Sequence, residues 1–291
     1  MFVDLRNTNK KVVSMDRRKA LKAAAGIFAG GGIGMLALSQ AFKTDEQTVE
    51  GPFQLEYDPP ESNWNYVLLG PAFSARLAYT YYSEGSCMYA IVRSVISQLA
   101  EKTGEPYSSF PYHMFKYGHG GVGGYGSVCG ALNGAAALIG LFVHEKGIQD
   151  RLIADIFQWY ETESFPTFIP ANPVVDVTPA RSVPNSILCH ASNTNWSNDT
   201  GFHVSSNERK ERCRRLTADV AQKVTTALNE IHADSYVANI YSDDTVNTCM
   251  ACHGKEGKVK NVSSRMSCNS CHPESIGHRI FSDVHYRIMK E

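Results

Sequence analysis

Apolar side chains recur at three- and four-residue intervals through the middle of the chain. Met88, Ile91, Val95 and Leu99 follow Cys87 at this spacing, which predicts a helix over 87–99. Ala131–Phe142 is almost wholly small or apolar, as a helix buried on all sides would be. Ile148, Leu152, Ile156 and Trp159 mark a third helical stripe. Ser205-Ser206-Asn207-Glu208 has the form of a capping box, and an apolar face runs on from it through Leu216, Val220, Val224, Leu228 and Ile231. Phe165–Ser186 holds five prolines and reads as loop or short extended chain. The expected fold class is mainly α: a helical body followed by a small, loop-rich C-terminal segment.

The N-terminus departs from this pattern. Ser14-Met15-Asp16-Arg17-Arg18-Lys19-Ala20-Leu21-Lys22 precedes an apolar, glycine-rich run from Ala23 to Leu38, and Ser39-Gln40-Ala41 then offers small residues. This arrangement resembles a twin-arginine signal peptide cleaved near Ala41. The alternative, a membrane anchor, needs roughly 20 apolar residues, and this run is shorter and broken by glycine. The expectation is therefore a periplasmic protein with residues 1–41 removed. The formal net charge of −1 includes that basic segment, so the remainder is mildly acidic. An acidic body argues against nucleic acid as a partner.

The strongest chemical signal lies near the C-terminus. Residues 249–253 read Cys-Met-Ala-Cys-His and residues 268–272 read Cys-Asn-Ser-Cys-His. Cysteines three apart share one face of a helical turn, and the next residue points the same way. Two thiols can then bond a haem while the imidazole reaches its iron. Cys249, Cys252, Cys268 and Cys271 are the expected attachment sites of two c-type haems, with His253 and His272 as axial ligands. Structural zinc is the rival, because two Cys-x-x-Cys pairs fifteen residues apart fit a zinc ribbon. Histidine fills only ten of 291 positions, yet it follows both pairs, and export places the segment where haem c is attached. Both observations favour haem. The segment 241–291 is also too short to build much of a core without a cofactor.

Four more cysteines lie in the body, at 87, 129, 189 and 213. Cys129 closes the glycine-rich run from Gly118 and sits at an expected helix start, where thiolate is favoured. Outside the cytoplasm, two disulfides are the ordinary fate of four cysteines, and unlinked buried thiols are a further alternative. The twin-arginine route, however, serves folded proteins loaded with a cofactor in the cytoplasm, and haem c is attached only after export. An iron–sulfur cluster on Cys87, Cys129, Cys189 and Cys213 accounts for that route; a two-iron, two-sulfide cluster is one form such a set holds. The expected organisation is thus signal 1–41, helical body 42–240 with an iron–sulfur site, and dihaem segment 241–291.

With its paired haem motifs placed after such a body, the chain resembles the split-Soret cytochrome c family of sulfate-reducing bacteria. The stretch Gly118–Leu141, with Val128-Cys129-Gly130-Ala131-Leu132-Asn133-Gly134-Ala135, also resembles a haemless redox-active family, C_GCAxxG_C_C. Cys87, Cys129, Cys189 and Cys213 match that family's cysteines in order. The resemblance implies a homodimer, two bis-His haems per subunit with ligation crossing between subunits, and an iron–sulfur centre in the body. For the distal ligands it leaves His119 leading, followed by His285, His278 and His190. The implied function is electron transfer between redox partner proteins. A small-molecule reductase of the nitrogen-oxide type, with one five-coordinate haem, is the alternative, and a redox sensor ranks behind both.

Overall fold

The computed structural model describes residues 64–240 and 243–268. The predicted signal peptide and Cys271, His272, His278 and His285 lie outside the described residues. Among the described residues six α-helices follow one another: α1 (Pro71–Thr103), α2 (Gly130–Phe142), α3 (Lys146–Thr162), α4 (Cys189–Thr200), α5 (Asn207–His232) and α6 (Asp244–His253). Short 3-10 turns at Tyr107–Ser109 and Tyr112–Gly118 lead from α1 into the glycine-rich run. Among the described residues, strand pairing amounts to two isolated bridges, Val128 with Leu188 and Phe165 with Ser182.

The two longest helices, α1 and α5, pack on each other, and α2 lies against both. The predicted apolar stripes are what they bury. Ile91, Val95 and Leu99 of α1 are fully enclosed with Leu132 of α2, Leu152 and Ile156 of α3, and Val220 and Val224 of α5. Each such side chain contributes about 1.5–3 kcal/mol by leaving water.

Three elements differ from the sequence reading. Helix α1 begins at Pro71, well before Cys87, with proline in its first turn. Its early buried positions are Ser74, Ala75, Ala78 and Tyr79, too small or too polar to print an apolar stripe. Helix α4 was not predicted at all, because only Ser192 and Trp196 are buried in a run of Ser, Asn and Thr. The N-cap of α5 is Ser206, whose hydroxyl accepts from Arg209 N at 3.1 Å. Ser205 is instead engaged with His203 Nδ1 at 2.6 Å, so the capping pair with Glu208 does not form.

Candidate functional site

The fold brings the four body cysteines together from four helices. Cys87 follows a break inside α1, where Ser86 adopts φ 66° and ψ −164°. Cys129 is the N-cap of α2, and its N–H donates to Ile187 O at 2.8 Å. Cys189 opens α4, and its N–H donates to Ser127 O at 2.8 Å. Cys213 is buried on α5. The glycine-rich run closes over this group. Gly121 has φ +68°, and a Cβ there would stand 2.8 Å from Cys189 Cβ. A Cβ on Gly130 would likewise strike Gly118 O and lie 3.2 Å from Cys87 Cβ.

The thiols act on one another. Burial pushes the Cys87 thiol well above its ordinary range, and Cys129, Cys213 and Cys189 push it further. Cys189 is pushed up to about 12, first by burial and then by Cys129 and Cys213. Cys129 is also raised by burial, which outweighs the N–H groups of Ala131 and Leu132 at the start of α2. The expectation that the helix N-terminus favours thiolate at Cys129 is therefore corrected: desolvation wins, and the metal-free thiol stays protonated. All seven described cysteines are unpaired thiols. Among the described residues no three His, Cys, Asp or Glu side chains are close enough to grip a single ion.

Polar side chains that the sequence reading passed over hold these thiols. Asn193 donates from Nδ2 to Cys189 Sγ at 3.2 Å and accepts from Cys213 Sγ at 3.4 Å. Tyr160 acts on Cys129, favouring its thiolate against burial, and lies 3.0 Å from Ser192 Oγ. Arg212 donates to Ser192 Oγ at 2.9 Å, with its other terminal nitrogen 4.0 Å from Cys213 Sγ. The signal that could have found Arg212 is the run Glu211-Arg212-Cys213-Arg214-Arg215, where charges fall on buried positions of a helix. A cavity of about 760 Å³ opens onto Cys87, Cys189 and Cys213, and His119, His190 and Arg209 line it. His119 and His190 therefore sit at the rim of the cysteine site.

The C-terminal motifs are built differently. Asp243 caps α6 by accepting from Thr245 N at 2.9 Å and Val246 N at 3.2 Å. Cys249, Cys252 and His253 then share its final turns. His253 Nδ1 lies 2.9 Å from Asn261 Oδ1; an N–H at Nδ1 donating to that oxygen leaves the lone pair on Nε2. Cys268 lies beside Cys249; its thiol is raised by burial and by that neighbour. A groove of about 580 Å³ runs between α3 and this segment, with Ile153, Phe157, Ile187, Val246 and Met266 among its apolar walls. Ser267 N donates across to Glu161 Oε1 at 3.4 Å.

A solved structure described as a novel iron centre in the split-Soret cytochrome c from Desulfovibrio desulfuricans superposes with a TM-score of 0.67. It is 33% identical in sequence, over 72% of this chain and 90% of that one. The chain belongs to the split-Soret cytochrome c family. A curated split-Soret cytochrome c from the same organism is 29% identical over 268 residues, 89% of this chain and 95% of the relative. The family model for C_GCAxxG_C_C redox-active proteins matches residues 89–227, which include Cys129, Cys189 and Cys213. As a split-Soret family member the chain is a haem protein of electron transfer, and its mainly helical fold is the family's. Among the described residues no helix is long and apolar enough to cross a membrane.

Proposed function

We propose that this split-Soret family member is a periplasmic electron carrier with two kinds of redox centre. One is a pair of c-type haems, bonded at Cys249 and Cys252 and at Cys268 and Cys271, with His253 and His272 as axial ligands. The other is an iron–sulfur cluster on Cys87, Cys129, Cys189 and Cys213. The convergence of these four thiols from separate helices is the observation that carries the second assignment. Four cysteine thiols are a ligand set that an iron–sulfur cluster takes. The iron centre described for the Desulfovibrio desulfuricans relative supports the same reading.

Bound haem and cluster would supply one-electron chemistry, and the chain's own residues prepare both places. Asn261 orients the His253 imidazole, and the apolar side chains in the groove beside α6, Phe157, Val246 and Met266 among them, would pack against a porphyrin edge. Asn193 and Tyr160 aim three of the four body thiols, and Gly121 lets the covering turn approach them. His119, exposed at the cavity rim, is the proposed distal ligand of a haem in a second subunit. The twin-arginine signal directs the loaded body outward.

Intact mass of the mature protein tests the haem assignment: two haem increments should survive denaturation. A mass matching bare polypeptide, or polypeptide with zinc, overturns it. Both haems should be low-spin and refuse carbon monoxide when reduced, and His119→Ala should open one of them to it. An unchanged spectrum in that variant removes His119 as ligand.

A further inference from the structure

Arg212 is only 1% exposed, and a guanidinium in a protein stays protonated. A buried charge requires an opposite charge or dense hydrogen bonding to offset lost hydration. Glu211, the adjoining buried carboxylate, is already engaged by Arg214 at 2.6 Å and Arg215 at 2.8 Å. Among the described residues Arg212 makes no ion pair with a carboxylate, and its Nε has no hydrogen-bond partner. Its described polar contacts are Ser192 Oγ at 2.9 Å and Cys213 Sγ at 4.0 Å. The groups that act on its charge are Cys213, Tyr160 and Cys129. Tyr160 and Ser192 are as buried as Arg212 and link the guanidinium back to Cys129.

Taken alone, this cationic network is incomplete. Neutral thiols leave a positive charge sealed in the body, and so would disulfides among these cysteines. Metal-bound thiolates complete it, because coordination deprotonates a thiol outright.

We propose that Arg212 is the fully buried counter-charge of the cysteine centre, beside the less buried Arg209, and with Tyr160 raises its reduction potential through the sulfurs of Cys129 and Cys213. The proposal rests on the iron–sulfur assignment made above. Reduction adds one electron, supplied by a redox partner protein, and one negative charge beside the guanidinium. No proton moves on Arg212. The positive charge therefore favours the reduced form, as charge and hydrogen bonds at the sulfurs generally do. Arg212 is a positioning and tuning residue, since it acts through the ligands.

The test uses anaerobically purified full-length protein and its Arg212→Gln, Arg212→Lys and Tyr160→Phe variants. Non-haem iron, acid-labile sulfide and haem are quantified in each, and midpoints are read by electron paramagnetic resonance during stepwise reduction. Arg212→Gln should shift the one-electron equilibrium of the body centre at least tenfold toward the oxidised form, a fall of about 59 mV. Arg212→Lys should keep most of the wild-type value, and Tyr160→Phe should shift it in the same direction by less. The haem midpoints should stay where they are. A loaded Arg212→Gln protein with an unmoved midpoint, or with haem and body midpoints moving together, overturns the proposal. If that variant does not fold or load, the lysine variant should restore loading, and failure of both overturns the proposal as well. With Arg212→Gln lost, a Tyr160→Phe midpoint that is unmoved or raised has the same force. Wild-type protein without non-haem iron instead overturns the iron–sulfur assignment, and the role of Arg212 falls with it.

Discussion

In the C-terminal segment, Cys249, Cys252 and His253 fall within the last five residues of one helix, whereas Cys87, Cys129, Cys189 and Cys213 arrive from four helices of the body. The first arrangement needs little more than a helical turn to form. The second exists only when α1, α2, α4 and α5 are packed, when Ser86 breaks α1 before Cys87, and when the glycine-rich run folds over the thiols. A local site tolerates damage elsewhere in the chain. A site assembled by tertiary packing shares the fate of the core, and its side chains here are thiols that burial holds protonated.

The sharpest way to break that contrast is to remove one ligand from each region. Cys129→Ser should abolish non-haem iron while covalent haem content stays at the wild-type level. Cys252→Ala should weaken attachment of one haem and leave non-haem iron unchanged. Elemental iron, sulfide and haem measurements on both variants decide the matter, and joint loss of both cofactors in either variant would show that the regions are not independent.

Damage to the core is the next largest effect. Leu132 is fully buried one turn after Cys129. Leu132→Ala should cost about 2–5 kcal/mol in denaturant unfolding. It should release body iron at lower denaturant than wild type, with haem still bonded to the chain. Equal release midpoints in the two proteins would contradict dependence of the body site on packing.

The pH response separates the regions further. The folded-state value of Cys189 is raised from 9.0 to about 12, so the fold favours its protonated form. In chelated, metal-free protein that contribution is fully present below about pH 9 and is lost as pH rises toward 12. Denaturation midpoints should therefore fall across that alkaline window. Loading with iron and sulfide runs the other way: each ligand must release a proton, so uptake should weaken as pH falls. Flat midpoints through the alkaline window would show that burial does not govern these thiols.

The smallest effect concerns the break in α1. Ser86 has a φ of 66° and a ψ of −164°, a region that side chains resist and glycine enters freely. Ser86→Gly should raise stability by about 1 kcal/mol and leave non-haem iron in place. A loss of stability would mean that the serine hydroxyl, not the backbone shape, matters there.

What could be read from the sequence follows the same division. The haem motifs are legible because their residues are adjacent, and the apolar stripes of α1, α2, α3 and α5 are legible because they repeat at the helical period. The body cysteines could be grouped only through family resemblance and the export signal, since no spacing joins them. Helix α4 was illegible because it buries Ser192 and Trp196 without an apolar stripe. Arg212 was illegible for a related reason: an arginine in a charged run reads as solvent-facing until the packing of α5 shows it enclosed. The thiolate expected at Cys129 failed because the helix-terminal N–H groups were visible in the pattern while the depth of burial was not.

The central claim is that the helical body holds an iron–sulfur centre separate from the covalent haems. Its most direct test is the ratio of total iron and acid-labile sulfide to haem in anaerobically prepared protein, joined to electron paramagnetic resonance during stepwise reduction. Iron in excess of haem, with matching sulfide and a reduced-state signal absent from Cys129→Ser, is the predicted result. Iron no higher than the haem content, with Cys87 or Cys129 recovered in a disulfide, would contradict it.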